Sequence, residues 1–411
     1  MVEAQDLSKK LLLASGIGML FDAMDVGLLG FVIAALILAW HISPQSAGLL
    51  GSITLVGMAL GSAGAGLYAD RVGRKKAFLI TLLIYSFASG ISAFATSIGF
   101  LIVMRFITGF GLGGELPVAT TFVLESSPPE KRGGRTALLE TFWAFGSIVA
   151  ALIGYLLIPL FTWRAAFAIT VFPALYALYL RRTLPETPAF KGLKQTLNFK
   201  QNMVHLWQAK LRKRTILLWV LWFTANFAYY GMFFWLPSVL VLKGYSLIHS
   251  FGYVLIMAIA QVPGYLASAW LVEKIGRKWT LVLFSLVSAI SALLFGLSNS
   301  LTLLLLFGVI LNFSNLGAWG ATYVFSVEQY PPISRATGLG WAMGIGKIGG
   351  VVAPYLVGAL VAAKTPFAHI FSLFFIVTLI GVVVLLTLGK DVRTDESAFL
   401  MADTPNYSHE L

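Results

Sequence analysis

Long apolar runs alternate with short polar breaks along nearly the whole chain. A run that crosses a bilayer as a helix needs about 20 residues. Twelve stretches meet that need, near 11–39, 48–69, 77–96, 98–124, 137–160, 164–182, 215–241, 248–272, 279–298, 301–325, 336–361 and 367–389. Six precede and six follow a polar segment. The pattern predicts an all-α membrane protein with twelve transmembrane helices in two six-helix pseudo-repeats. Its expected divisions are an N-terminal half over 1–182, a cytoplasmic linker over 183–213, a C-terminal half over 214–389 and a cytoplasmic tail over 390–411. The basic linker is expected to lie on the membrane surface as short amphipathic helices.

The polar breaks themselves repeat. DRVGRK at 70–75 returns as EKIGRK at 273–278, and Glu125 with Arg132 returns as Glu328 with Arg335, every pair 203 residues apart. Two halves that keep one offset over several landmarks argue for an internal duplication, the build of many secondary transporters.

Composition strengthens this reading. The 411 residues are 58% hydrophobic and only 11% charged, where a soluble protein carries about 25% charged residues. The net charge of +12 would suggest nucleic acid in a soluble chain. Here its distribution explains it. With both termini cytoplasmic, 24 of the 29 Lys and Arg fall on cytoplasmic segments, three fall outside (Arg164, Lys243, Lys364) and two lie within spans, the bias that sets membrane topology. The chain has no cysteine, so disulfides and thiolate metal sites are excluded. The first span lacks a small-residue cleavage site and carries Asp22 and Asp25, which reads as a retained helix. No phosphate-binding GxxxxGK[ST] loop and no HExxH pair occurs, which argues against ATP drive, metal chemistry and an enzyme. No cofactor is expected.

Ionisable side chains at membrane depth are costly and default to function. Asp22, Asp25, Arg105, Glu115, Glu140 and Lys347 fall in that class. At about 1.5 Å per residue, Asp25 lies roughly 21 Å from the cytoplasmic entry of its helix and Arg105 roughly 10 Å from the outer face. The two therefore share a level, and an Asp25–Arg105 pair is expected, with Asp22 as the other possible partner. Such a pair serves either helix packing or proton coupling. Glu115 sits in GGELP, where two glycines and a proline are expected to loosen the helix, as a proton site or inner gate. Glu140 is expected to pair at the interface with the basic cluster at 131–135. Lys347 lies roughly 16 Å deep in a glycine-rich run, where Gly340/Gly344 and Gly346/Gly350 have the spacing of close helix contacts.

The segment GLYADRVGRKK at 66–76 resembles the signature loop of the major facilitator superfamily, and the resemblance extends over the whole chain. RFITGFGLGGELP at 105–117, Trp163-Arg164 and PETP at 185–188 are similar to its sugar, organic-ion and metabolite–proton porters. LFDAMDVG at 20–27, YYGMFFWLPSV at 229–239, NLGAWG at 315–320 and RATG at 335–338 resemble the bacterial niacin transporter group. That resemblance implies the major facilitator fold and alternating-access uptake of nicotinate, or a close aromatic monocarboxylate, with protons. It implies a multi-pass monomer in the cell membrane whose partners are a small carboxylate, protons and lipid. Lys347 departs from the arginine expected in that group, and the resemblance makes it the counter-ion of the substrate carboxylate. Asp22, Asp25 and Arg105 would border the central cavity, with Asp22, Asp25 and Glu115 coupling protons. Trp143, Asn226, Tyr229, Tyr230, Asn312, Asn315, Trp319 and Tyr323 would clasp the ring, by stacking and through an amide on its nitrogen. Asp70, Arg71, Arg74, Glu125 and Arg132, with Glu273, Arg277, Glu328 and Arg335, would gate the cytoplasmic side. A proton-driven exporter and a ligand sensor without flux are the alternatives.

Overall fold

The computed structural model describes residues 2–125, 132–183, 206–330 and 332–390. The expected linker helices and the tail lie outside these residues, and so do the side chains of Asp70, Arg71, Arg74, Glu125, Arg132 and Arg335.

The first half contains α1 (Val2–Ala39), α2 (Pro44–Val72), α3 (Arg74–Ser92), α4 (Ile98–Glu125), α5 (Arg132–Phe161), and a sixth span made of α6 (Trp163–Ala168), a short 3-10 turn and α7 (Phe172–Thr183). The second half contains α8 (Ala209–Phe233) with α9 (Leu236–Leu242), α10 (Leu247–Ile259) with α11 (Gln261–Ile275), α12 (Arg277–Leu297), α13 (Leu301–Glu328), α14 (Pro332–Ala362) and α15 (Phe367–Leu388). Nine described helical segments are long and apolar enough to cross a membrane. α2, α3 and the short sixth span complete the twelve. No strand occurs among the described residues.

Besides the sixth span, two predicted spans are broken helices. Pro237, which lacks an amide hydrogen, is the second residue of α9, which follows a two-residue break, and a turn at Ala260 separates α10 from α11. α4 differs from expectation: it runs unbroken through Gly113, Gly114 and Pro117.

The duplication is visible in the backbone. Gly73 (φ 101°) joins α2 to α3, and Gly276 (φ 90°), 203 residues later, joins α11 to α12. Both sit in the left-handed region that disfavours other residues. At the same offset, a Cβ on Gly61 would strike the carbonyl of Phe110, and a Cβ on Gly264 would strike that of Phe313. Gly57 and Gly61 of α2 meet Gly109 and Gly113 of α4, so each helix presses its small-residue stripe onto the other's backbone. In lipid, where burial gives helices little reason to associate, such close approach is what holds them together.

Between the halves, described contacts gather toward the end that holds Trp40. Gly48 of α2 lies against the Pro354 carbonyl, and Gly358 of α14 lies against that of Pro44. Ser52 Oγ donates to the Val351 carbonyl at 2.6 Å and accepts the Tyr355 N–H at 3.1 Å. These are the two groups that a regular helix would join directly. A hydroxyl of α2 thus occupies an opening in α14 beside Pro354. The Trp235 indole donates to the Pro354 carbonyl of the same stretch at 3.0 Å. At the other end, Arg277 Nε holds Glu328 Oε1 at 2.8 Å, tying α12 to α13 within one half. Of the expected gate, Arg277 and Glu328 meet in this way, and Glu273 ends α11 close by.

Candidate substrate site

Two polar centres lie between the helices, one within the first half and one where the halves meet.

The first is built on Arg105 of α4, which is fully buried. Its Nη1 donates to Asp25 Oδ1 of α1 at 3.0 Å. Nη2 donates to Ser92 Oγ of α3 at 3.0 Å and to Thr108 Oγ1, one turn along, at 2.9 Å. The Phe167 ring lies 4.4 Å beneath the guanidinium carbon. A planar cation with several fixed donors suits this junction of three helices better than a lysine would.

Asp22, one turn before Asp25, faces Glu115 of α4 and has the Tyr85 hydroxyl of α3 beside it. Glu115 lies against Gly18 of α1, where any side chain would collide with it. Both Glu115 oxygens, Asp22 Oδ1 and the Tyr85 hydroxyl lack hydrogen-bond partners. Two ionised carboxylates can only accept, so this pair is satisfied when a proton lies between its members. Of the three buried carboxyls, only Asp25 meets a described cation.

The second centre is aromatic. Lys347 Nζ of α14 stands 3.5 Å from the Tyr230 hydroxyl of α8 and 5.4 Å from its ring centroid. Among the described residues it meets no carboxylate. Gly340 and Gly344, two turns and one turn earlier, border open space, whereas Gly346 packs on the Trp222 carbonyl and Gly350 on Tyr230. Only the later glycine pair therefore makes the expected close contact. Tyr230 meets Tyr229 edge to face with centroids 5.1 Å apart. The Trp143 indole of α5 donates across the boundary to the Tyr229 hydroxyl at 2.6 Å. Trp319 of α13 lies 5.2 Å from Tyr229, and Tyr323 follows one turn later. Asp22 comes within electrostatic reach of Tyr230, so the two centres adjoin.

The amides stand elsewhere than expected. Asn312 Oδ1 accepts from Gln261, and its nitrogen donates to the Gly308 carbonyl. Asn315 donates to Ser288 at 3.3 Å. Both brace the interior of the second half. Asn226 donates to the Trp222 carbonyl of its own helix at 2.8 Å. The 131–135 cluster that Glu140 was expected to meet lies outside the described side chains. Glu140 is buried, meets no described cation, and lies within electrostatic reach of Tyr265 and Tyr323 in the opposite half.

Sequence reasoning overlooked Tyr85, Ser92, Thr108 and Phe167. The run Ser86, Ser89, Ser92 at helical spacing was a readable sign of a polar face on α3.

A helical membrane protein whose two duplicated halves meet around polar centres is a secondary transporter. The Major Facilitator Superfamily model matches residues 16–274 and 253–403, and the chain belongs to that family. It is 51% identical to the "Putative niacin/nicotinamide transporter NiaP" of Bacillus subtilis over 94% of this chain and 97% of that protein. It is 41% identical to the niacin transporter NiaP of Acinetobacter baylyi over 93% of this chain and 94% of that protein. The crystal structure of a D-xylose–proton symporter shares the fold, with a TM-score of 0.75, 19% identity and coverage of 93% of this chain and 98% of the other.

Proposed function

We propose that this transporter imports nicotinate, or a close small aromatic monocarboxylate, together with protons and by alternating access. It would act as a monomer in the cell membrane, with both termini, the 183–213 linker and the 390–411 tail cytoplasmic. The observation that carries this reading is the Lys347 ammonium, set at membrane depth beside an aromatic wall with no described acid to answer it. Burying an unanswered charge is costly, and a carboxylate ligand removes that cost. Two relatives named for niacin support the same ligand class.

The Asp22–Glu115 pair would carry the proton, while Asp25 and Arg105 hold the surrounding helices in register. Asp22 links the pair to Tyr230 and hence to Lys347, so a change of charge at either centre is felt at the other. With the orientation that the Lys and Arg bias suggests, the seam around Ser52 would lie at the outer face.

Labelled nicotinate uptake into proteoliposomes, with and without an acid exterior, tests the reading. Accumulation that the gradient accelerates is expected. Uptake absent in both conditions, or indifferent to the gradient, would overturn the substrate or the coupling respectively.

A further inference from the structure

Glu140 is left without work by everything above. It projects from α5, one turn from Trp143, so the two share a face. That face meets the opposite half, where Tyr323 follows Trp319 by one turn on α13. Trp143, Tyr229, Trp319 and Tyr323 therefore form one aromatic wall flanked by two groups of opposite kind. Lys347 lies against the adjoining Tyr230, and Glu140 lies within electrostatic reach of Tyr323.

A nicotinate has the same polarity. Its carboxylate needs a cation, and its ring nitrogen, with a free lone pair at neutral pH, needs a donor. The asparagines are poor candidates for that donor, because Asn312 and Asn315 face the interior of the second half and Asn226 is turned onto its own backbone. Glu140 is buried and meets no described cation, and the Tyr265 hydroxyl within its electrostatic reach lacks a hydrogen-bond partner. A carboxyl in its protonated form has an O–H to donate.

We propose that the protonated carboxyl of Glu140 donates a hydrogen bond to the ring nitrogen of the substrate and so selects pyridine carboxylates over benzene carboxylates. The proposal rests on the functional reading above and adds the feature that reads the ring. A site built to hydrogen-bond a ligand atom discriminates strongly against analogues that lack it, because its own buried group is then left unpaired.

The test is the ratio of nicotinate to benzoate affinity in the purified full-length transporter, for wild type, Glu140→Ala and Glu140→Gln. Benzoate has the same ring and carboxylate with a C–H in place of the nitrogen. Glu140→Ala should lower the nicotinate preference about tenfold, the value of one hydrogen bond in affinity. Glu140→Gln, whose amide can still donate, should keep most of it. Thermal unfolding in detergent identifies a variant that has not folded, and Glu140→Gln then carries the test with nicotinamide as a third ligand. An unchanged ratio in Glu140→Ala, or an equal loss of both ligands, would overturn the proposal while leaving nicotinate transport standing. A wild type that binds neither acid would overturn the functional reading and this one together.

Discussion

The hydroxyl of Ser52 sits between the Val351 carbonyl and the Tyr355 amide, so a side chain from one half completes the backbone of a helix in the other. Pro354, which has no amide hydrogen to give the ladder, lies inside α14 next to Tyr355. Breaking this seam need not strand polar groups, because the helix can close its own ladder when the hydroxyl leaves. The contact is therefore suited to being made and unmade.

Ser52→Ala should loosen the seam while leaving each half intact. Removing one such bond costs about 1 kcal/mol. Spin labels placed on α2 and α14 near the Trp40 end should show a larger share of separated distances. An unchanged distribution would mean that the glycine contacts at Gly48 and Gly358 hold the seam unaided.

Asp25→Asn should be among the most destabilising changes at the first centre. It leaves the Arg105 charge buried without its counter-ion, a loss of about 3–5 kcal/mol. Thermal unfolding in detergent should show a drop for Asp25→Asn that is partly relieved when Arg105→Gln is added. Independent, additive losses would show that the two side chains do not depend on each other.

Lys347→Ala should weaken nicotinate binding by at least tenfold, since a charge-assisted contact is worth about 1.5–3 kcal/mol. Lys347→Arg should keep most of the affinity by preserving the sign of the charge. Isothermal titration with purified protein reads both. Intact affinity in Lys347→Ala would place the carboxylate elsewhere.

Gly61→Val and Gly264→Val should do comparable damage, because the same carbonyl contact recurs 203 residues apart. Forcing bulk into such a crossing costs about 1–3 kcal/mol or more. Unfolding temperatures of the two variants should fall together. A fall for only one would mean that the repeat kept its sequence landmark and lost its mechanical role.

Most of the fold was legible because hydrophobic length is a direct consequence of bilayer thickness. The twelve stretches correspond to observed helical segments, and the offset of 203 recurs in Gly73/Gly276 and Gly61/Gly264. The breaks at Pro237 and Ala260 were harder to read, since a proline in a membrane helix bends it in one setting and is absorbed in another, as Pro117 and Pro237 show. Depth alone placed Asp25 level with Arg105. Facing direction was not available from depth. Asn312, Asn315 and Glu140 were each at a plausible height, and the rotation of their helices decided whether they met the second half's interior, its backbone or the opposite half.

The close glycine crossings of α2 on α4 and of α11 on α13 also limit how the molecule can change shape. Backbones pressed this near cannot slide past one another without collision. Each half must then turn as a stiff body, and the whole travel of a transport cycle falls on the softer boundary between them. Mutations that tune speed without altering what is carried should therefore gather along that boundary and spare the glycine stripes.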